Sequence, residues 1–211
     1  MGILEPKEHK FFERFLDNDL VDLAKELEIR YAKIQNATLL GVTPVTDEDV
    51  WKESNSISTM KWRQYNVFQF HIPAIRKLYD EISSMVHEAC EYYGVDFDEQ
   101  QFMLQGWFNI NESGNGKLDW HDHGPAGAPH FHGYYCVNAE PSETHYMIFN
   151  RDHKVNVNKN NRAVVSEMGH PHAMGDWDWN GPRITVAYDI VPMKMLSSNR
   201  DIEEQHWTPL S

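Results

Sequence analysis

The chain has 211 residues and a mass of 24.7 kDa, a length that suits one domain. Its 19 Lys and Arg stand against 32 Asp and Glu, a formal net charge of -13 with histidine neutral. A surface so acidic repels phosphate backbones and anionic lipid, which excludes nucleic acid and membrane as default partners. Hydrophobic residues at 41% and aromatics at 12% supply a core and exclude a disordered chain.

The opening MGILEPKEHK lacks the apolar stretch of a secretory signal. No run approaches the roughly 20 apolar residues that cross a bilayer. Two cysteines, Cys90 and Cys136, are too few for a disulfide framework. Together these features predict a cytoplasmic location. From Lys7 to about Gln35, Phe11, Phe12, Phe15, Leu16, Leu20, Leu23, Leu27 and Ile34 recur between charges, predicting one or two amphipathic helices. Residues 41–64 read as a loop and Tyr65 to Phe70 as a short edge strand. Pro73 opens the clearest helix, striped by Ile75, Leu78, Ile82, Met85, Val86, Ala89 and Tyr93 and closed by Gly94. Beyond it, segments near 101–110, 117–123, 131–138, 144–150, 162–168 and 183–191 are short and β-branched or aromatic, with turn formers between them. Helices followed by strands predict a mainly-β, α+β order, a sandwich or barrel with helices packed outside. Residues 1–95 form the helical part with its edge strand, and 101–191 the β core. Residues 192–211 are a polar, aperiodic tail that covers the core or joins a partner.

Twelve histidines are the compositional oddity, and eight of them lie between His121 and His172. Imidazole is the commonest metal-ligating side chain. On a strand, residues two apart share a face. Asp119, His121 and His123 therefore point one way, with the two imidazoles on a single ion and Asp119 placed to orient one of them. A third ligand is available in Gly169-His170-Pro171-His172. Three protein ligands leave open positions, the arrangement of a catalytic metal. His130 and His132 form a second HxH and read as pocket residues. His145, His153 and the remaining histidines carry no functional assignment. Arg183 opens an otherwise apolar strand eleven residues after His172, and a fixed guanidinium there suits a carboxylate. Thr185 shares its face and can add a hydroxyl. Trp107, Trp120, Trp177 and Trp179 are candidate pocket walls without a catalytic role.

Trp107-Phe108-Asn109, Gly116, Trp120-His121-Asp122-His123, Gly133-Tyr134-Tyr135, His172 and Arg183-Ile184-Thr185 resemble the Fe(II)/2-oxoglutarate-dependent dioxygenase superfamily. Within it, the prolyl-hydroxylase-like branch with its small phage and bacterial members is the nearest likeness. The resemblance implies a double-stranded β-helix (jelly-roll) core over 101–191. It implies Fe(II) on His121, His123 and His172, and 2-oxoglutarate held by Arg183, Thr185 and Tyr135. Tyr134, which faces oppositely, is the alternative to Tyr135. The activity implied is hydroxylation of an unactivated C–H bond of a small-molecule or peptidyl substrate, with release of succinate and CO2. His123 departs from the family pattern, which keeps Asp or Glu there. Other readings remain open. In a cupin-like metal enzyme without 2-oxoglutarate, Gly124 and His130-Phe131-His132 match the motif, but Cys136 or Val137 stands where its Glu belongs. A three-histidine Zn²⁺ hydrolase, like the cupin, leaves Arg183 without a use, and the last reading is a non-enzymatic jelly-roll binding or structural module in which the histidines are incidental. The sequence assigns no oligomeric state.

Overall fold

The computed structural model describes residues 7–39, 56–61, 65–111, 118–123, 130–179, 181–196 and 206–211. Near the N-terminus, Phe11 meets the Tyr146 ring at 4.9 Å while Phe12 packs beside Tyr92 and Tyr93. Neighbours that bury on opposite sides are strand residues, not helix residues. Phe12–Phe15 accordingly forms β1, where the phenylalanine spacing predicted helix. The helix waits for a cap. Asp19 accepts from the Val21 and Asp22 amides at 3.0 and 3.1 Å, and α1 runs from Leu20 to Leu39 with Leu23, Leu27 and Ile34 buried.

Most of the expected 41–64 loop lies outside the described residues, but Ser56–Ser58 forms β2. The edge strand expected at 65–70 is instead a 3-10 turn, Val67–Gln69. Asn66 is the reason. Its Oδ1 accepts from Phe68 and Gly106, and its Nδ2 donates to the carbonyls of Leu104 and His206. This buried amide is spent on the neighbouring chain and caps a turn. Helix α2, Pro73–Tyr93, matches expectation, with its stripe buried from Ile75 to Ala89, Tyr93 half-buried and Gly94 at φ 73° as the C-cap. A short α3, Phe97–Gln100, leads into the β region.

The strands are β3 (Phe102–Asn111), β4 (Leu118–His121), β5 (Phe131–Asn138), β6 (Glu143–Ile148), β7 (Asp152–Val157), β8 (Arg162–Glu167), β9 (His172–Met174) and β10 (Arg183–Pro192). After a turn of helix, α4 (Met193–Leu196), Thr208–Pro209 adds β11. The tail thus covers the β3 edge and buries Leu210. All pairings are antiparallel. The larger sheet has the order β1-β8-β5-β10-β3-β11 with β2 also on β3, and the smaller has β4-β9-β6-β7. This is the jelly-roll arrangement.

The larger sheet is buried on both faces. Phe131, Tyr135, Val137, Val165, Val186 and Tyr188 pack under α1 and α2. Alternate residues Tyr134, Cys136 and Val164 face Tyr146 and Ile148 of the smaller sheet. Gly133 permits the closest approach: a Cβ there would stand 1.9 Å from the Val164 carbonyl oxygen. Both cysteines are buried and unpaired. Among the described residues, no helix is long and apolar enough to cross a membrane.

Candidate metal centre

Register defines the inner face. Arg183, Thr185, Ala187 and Asp189 of β10 lie opposite Asn111, Asn109, Trp107 and Gln105 of β3. On the other side Thr185 and Asp189 lie opposite Cys136 and His132 of β5, and His132 opposite Ser166 of β8. Across the gap, His172 is the register partner of both His121 and Tyr146. One ligand atom each from His121, His123 and His172 lies within 4.8 Å of the others. The ring centroids are 4.4 Å apart for His121 and His172, 5.0 Å for His123 and His172, and 5.3 Å for His121 and His123. The three are partly exposed, so the cluster opens to solvent.

Each imidazole is held from behind through the same nitrogen. His121 Nδ1 lies 2.8 Å from the Asp119 carbonyl, His172 Nδ1 3.3 Å from the His170 carbonyl and His123 Nδ1 2.6 Å from Asp189 Oδ1. A carbonyl or carboxylate oxygen can only accept, so each ring in its neutral form carries its proton on Nδ1 and keeps the Nε2 lone pair for a cation. Asp119 therefore orients His121 with its backbone rather than its carboxylate. Strand alternation does not bring the pair together, since β4 ends at His121 and His123 lies beyond it in a bend. The acid that matters, Asp189, is one that the sequence reading missed. Its signal was parity: it is the one carboxylate on β10 and shares a face with Arg183.

Burial is the first cause that holds His172 well below the ordinary imidazole range, with the positive charge of His123 and His121 adding to it. His121 is lowered too, mainly by burial. Burial also opposes charge on His123, but Asp189 outweighs it by charge and hydrogen bond, and the net shift is upward. Metal binding must displace the His123 proton, a cost offset by ligation. Trp107 stacks on His123 at 5.7 Å and so is a wall, as expected. Trp177 is buried and bonded to the Gly181 carbonyl, while Trp120 and Trp179 are exposed. His132 lines the pocket: it is 4.7 Å from His172 and bonds Ser166 Oγ at 2.9 Å. His130 is buried against Met195 outside the cluster. His145 and His153 pair with each other at 3.0 Å.

Arg183 is 5% exposed and anchored by Nε to Ser142 Oγ at 2.9 Å. Burial lowers its pKa, and among the described residues no carboxylate pairs with it. Beside it, Tyr134 is buried on the same face, and its hydroxyl lies near Thr144 without hydrogen-bond geometry. The Tyr146 hydroxyl and Asn111 Oδ1 are likewise buried and unbonded. An uncompensated guanidinium and an idle phenol on one inner face suit an organic carboxylate. Thr185 is buried on that face as expected. Tyr135 is not there. Its side chain projects under the helices, and its hydroxyl bonds Asn18 and Asn161. The inner tyrosine is Tyr134, so the expectation for Tyr135 is corrected by one position.

No family model matches the chain, and no curated protein does. Solved structures do. A Pseudomonas putida prolyl-4-hydroxylase aligns over 87% of this chain and 93% of its own, at 12% identity and a TM-score of 0.58. SnoK, a non-haem α-ketoglutarate-dependent carbocyclase from nogalamycin biosynthesis, aligns over 87% and 79%, at 9% identity and a TM-score of 0.54. The likeness is one of fold.

Proposed function

We propose that the chain is a non-haem Fe(II)- and 2-oxoglutarate-dependent dioxygenase that hydroxylates an unactivated C–H bond. The observation that carries this reading is the convergence of three imidazoles, each bonded from behind through Nδ1, in a jelly roll whose adjacent strand presents a buried arginine with no carboxylate partner among the described residues. His121, His123 and His172 hold the iron. Arg183 receives the distal carboxylate of 2-oxoglutarate with Tyr134 and Thr185 beside it. The bound iron, with the 2-oxo acid and dioxygen, supplies the oxidising power, with succinate and CO2 as coproducts.

The chain's own residues supply position. Ser142 fixes the Arg183 fork, so a dicarboxylate is held at one end with little loss of freedom on binding. Trp107 and His132 wall the His123 and His172 rings and keep water from all but the open side. Asp189 keeps the proton of His123 on Nδ1. A prolyl or other amino-acid side chain, free or in a peptide, is the substrate class that the prolyl-hydroxylase likeness favours.

Anaerobic titration with Fe(II) and 2-oxoglutarate tests the proposal through the visible charge-transfer band of a chelated 2-oxo acid, followed by succinate release on admitting air. Absence of both, in protein that binds iron, would overturn it. Arg183→Met is expected to raise the 2-oxoglutarate requirement by about 10- to 100-fold, the worth of a charge-assisted pair. Its iron content should stay at the wild-type level, and loss of iron would make Arg183 structural instead.

A further inference from the structure

A second group of ligand side chains lies outside the centre just described. His9 precedes β1, Glu167 ends β8, and His170 sits in the turn between β8 and β9. One ligand atom from each lies within 4.8 Å of the others. The two rings meet edge to face at 4.6 Å, and Glu167 Oε2 is 3.9 Å from His170 Nε2. His9 is 7% exposed and His170 3%. Neither nitrogen of His9, nor Nε2 of His170, has a hydrogen-bond partner. Unsatisfied polar atoms are costly in a protein interior. Three on two adjoining imidazoles, with a carboxylate facing them, call for an occupant. Burial, with the charges of His170 and Lys154, pushes the His9 pKa down to about 3, which keeps its lone pair available at neutral pH.

We propose that His9, Glu167 and His170 form a second divalent-cation site with two imidazoles and one carboxylate, a donor set that suits Zn²⁺ and its borderline neighbours rather than Ca²⁺ or Mg²⁺. Three ligands leave a fourth position for water. The Phe149 amide donates to His170 Nδ1 at 3.3 Å, so the neutral, metal-free ring carries its proton on Nε2. Ligation through Nε2 moves that proton to Nδ1, where it faces the Phe149 N–H, so this long bond is lost and the ring must turn from that amide, a cost set against two nitrogen ligands and a carboxylate. Lys154 opposes the cation and Glu167 favours it. The site ties the segment before β1 to the turn that carries His172. The His170 carbonyl holds His172 Nδ1, so a cation here is a positioning device for the distal ligand of the first centre.

The full chain, stripped with chelator, is dialysed against buffered free Zn²⁺ and its metal content measured. Wild type is expected to hold two equivalents. His9→Gln and Glu167→Gln should each hold one, His172→Ala one, and the His9→Gln/His172→Ala pair none. Glu167 is part-exposed, so its variant tests the site even if His9→Gln does not fold, as judged by near-ultraviolet circular dichroism. Two equivalents retained by Glu167→Gln, or a single wild-type equivalent that His9→Gln and Glu167→Gln both keep, would overturn the proposal, whereas a single equivalent that both variants lose would place it in this site. The stoichiometry is read without 2-oxoglutarate, so failure of the dioxygenase reading leaves it standing.

Discussion

Asp189→Asn isolates what a carboxylate contributes from behind a histidine ligand. The substitution keeps side-chain size and removes the charge at a 2.6 Å contact with His123 Nδ1. The two side chains are only 12% and 16% exposed, so solvent screens the pair little. A hydrogen bond to a charged acceptor contributes about 1.5–3 kcal/mol. At roughly 1.4 kcal/mol per decade this is about 10- to 100-fold in affinity, which coincides with the usual loss when a carboxylate behind a metal-bound histidine is replaced. The amide also brings a donor. If its NH2 turns to Nδ1, that nitrogen must give up its proton, Nε2 takes it, and the ring no longer ligates. Anaerobic competition of Co(II) between protein and a chromophoric chelator reads the affinity. Long-range 15N–1H correlation of the imidazoles reads the tautomer. An affinity within about twofold of wild type in a folded variant would refute the assignment of Asp189 as the residue that poises His123.

Tyr134→Phe and Tyr135→Phe separate the two faces of β5. The first should raise the 2-oxoglutarate requirement, and the second should cost about 1 kcal/mol of stability through lost bonds to Asn18 and Asn161, with the requirement unmoved. Exchanged phenotypes would reverse the register. Gly133→Ala should destabilise by about 3 kcal/mol or more, since its Cβ meets the Val164 carbonyl of β8 at 1.9 Å and the Tyr188 ring of β10 at 2.5 Å; a urea midpoint like wild type would mean that these neighbouring strands give way more easily than their spacing implies. In metal-free protein, acidification should destabilise. His121, His132 and His172 are held below the ordinary value, by burial first, so below about pH 6.5 the unfolded chain takes up protons that the fold refuses. His123, shifted upward, acts oppositely: its contribution is complete below pH 6.5 and fades as pH rises through its folded value. Below pH 6.5 these three, together with His9 pushed down to about 3, therefore set the sign of the slope, and a urea midpoint unchanged between pH 7.5 and 5.5 would contradict these environments.

The histidine cluster was legible because its members are rare residue types at short spacings, and such a pattern survives ignorance of the fold. His121, His123 and His172 converge as expected, and Arg183 lies on the expected strand. Facing was the part that periodicity did not carry. Strand β5 is buried from Phe131 to Val137, so no polar face marks which of Tyr134 and Tyr135 looks inward. The same holds at β1, where Phe11 just before the strand and Phe12 within it pack on opposite sides and so mimic helical spacing. Strand β9 has three residues, too few to show a period. Asp189 and His9 failed for another reason: their partners, His123 and His170, are distant in sequence, and only sheet register and the path of the N-terminal segment bring them close.

Asp189 also accounts for the departure at His123. A carboxylate at that position would leave a divalent ion with one net positive charge, whereas three neutral imidazoles leave two. The missing negative charge is present in the protein, one ring further out, on a strand that also carries Arg183. In the proposed centre, placing it there would trade direct ligation for a charge delivered through His123 and would couple a bound metal to β10, the strand that carries Arg183. Strain or displacement of β10 is then felt at both ends of that strand, at the arginine that would bind the co-substrate and at the acid that sets the basicity of a metal ligand. This coupling explains why parity along β10 matters more here than the HxH spacing alone. Arg183, Thr185 and Asp189 work as one face, and a register slip of a single residue would remove all three from the site.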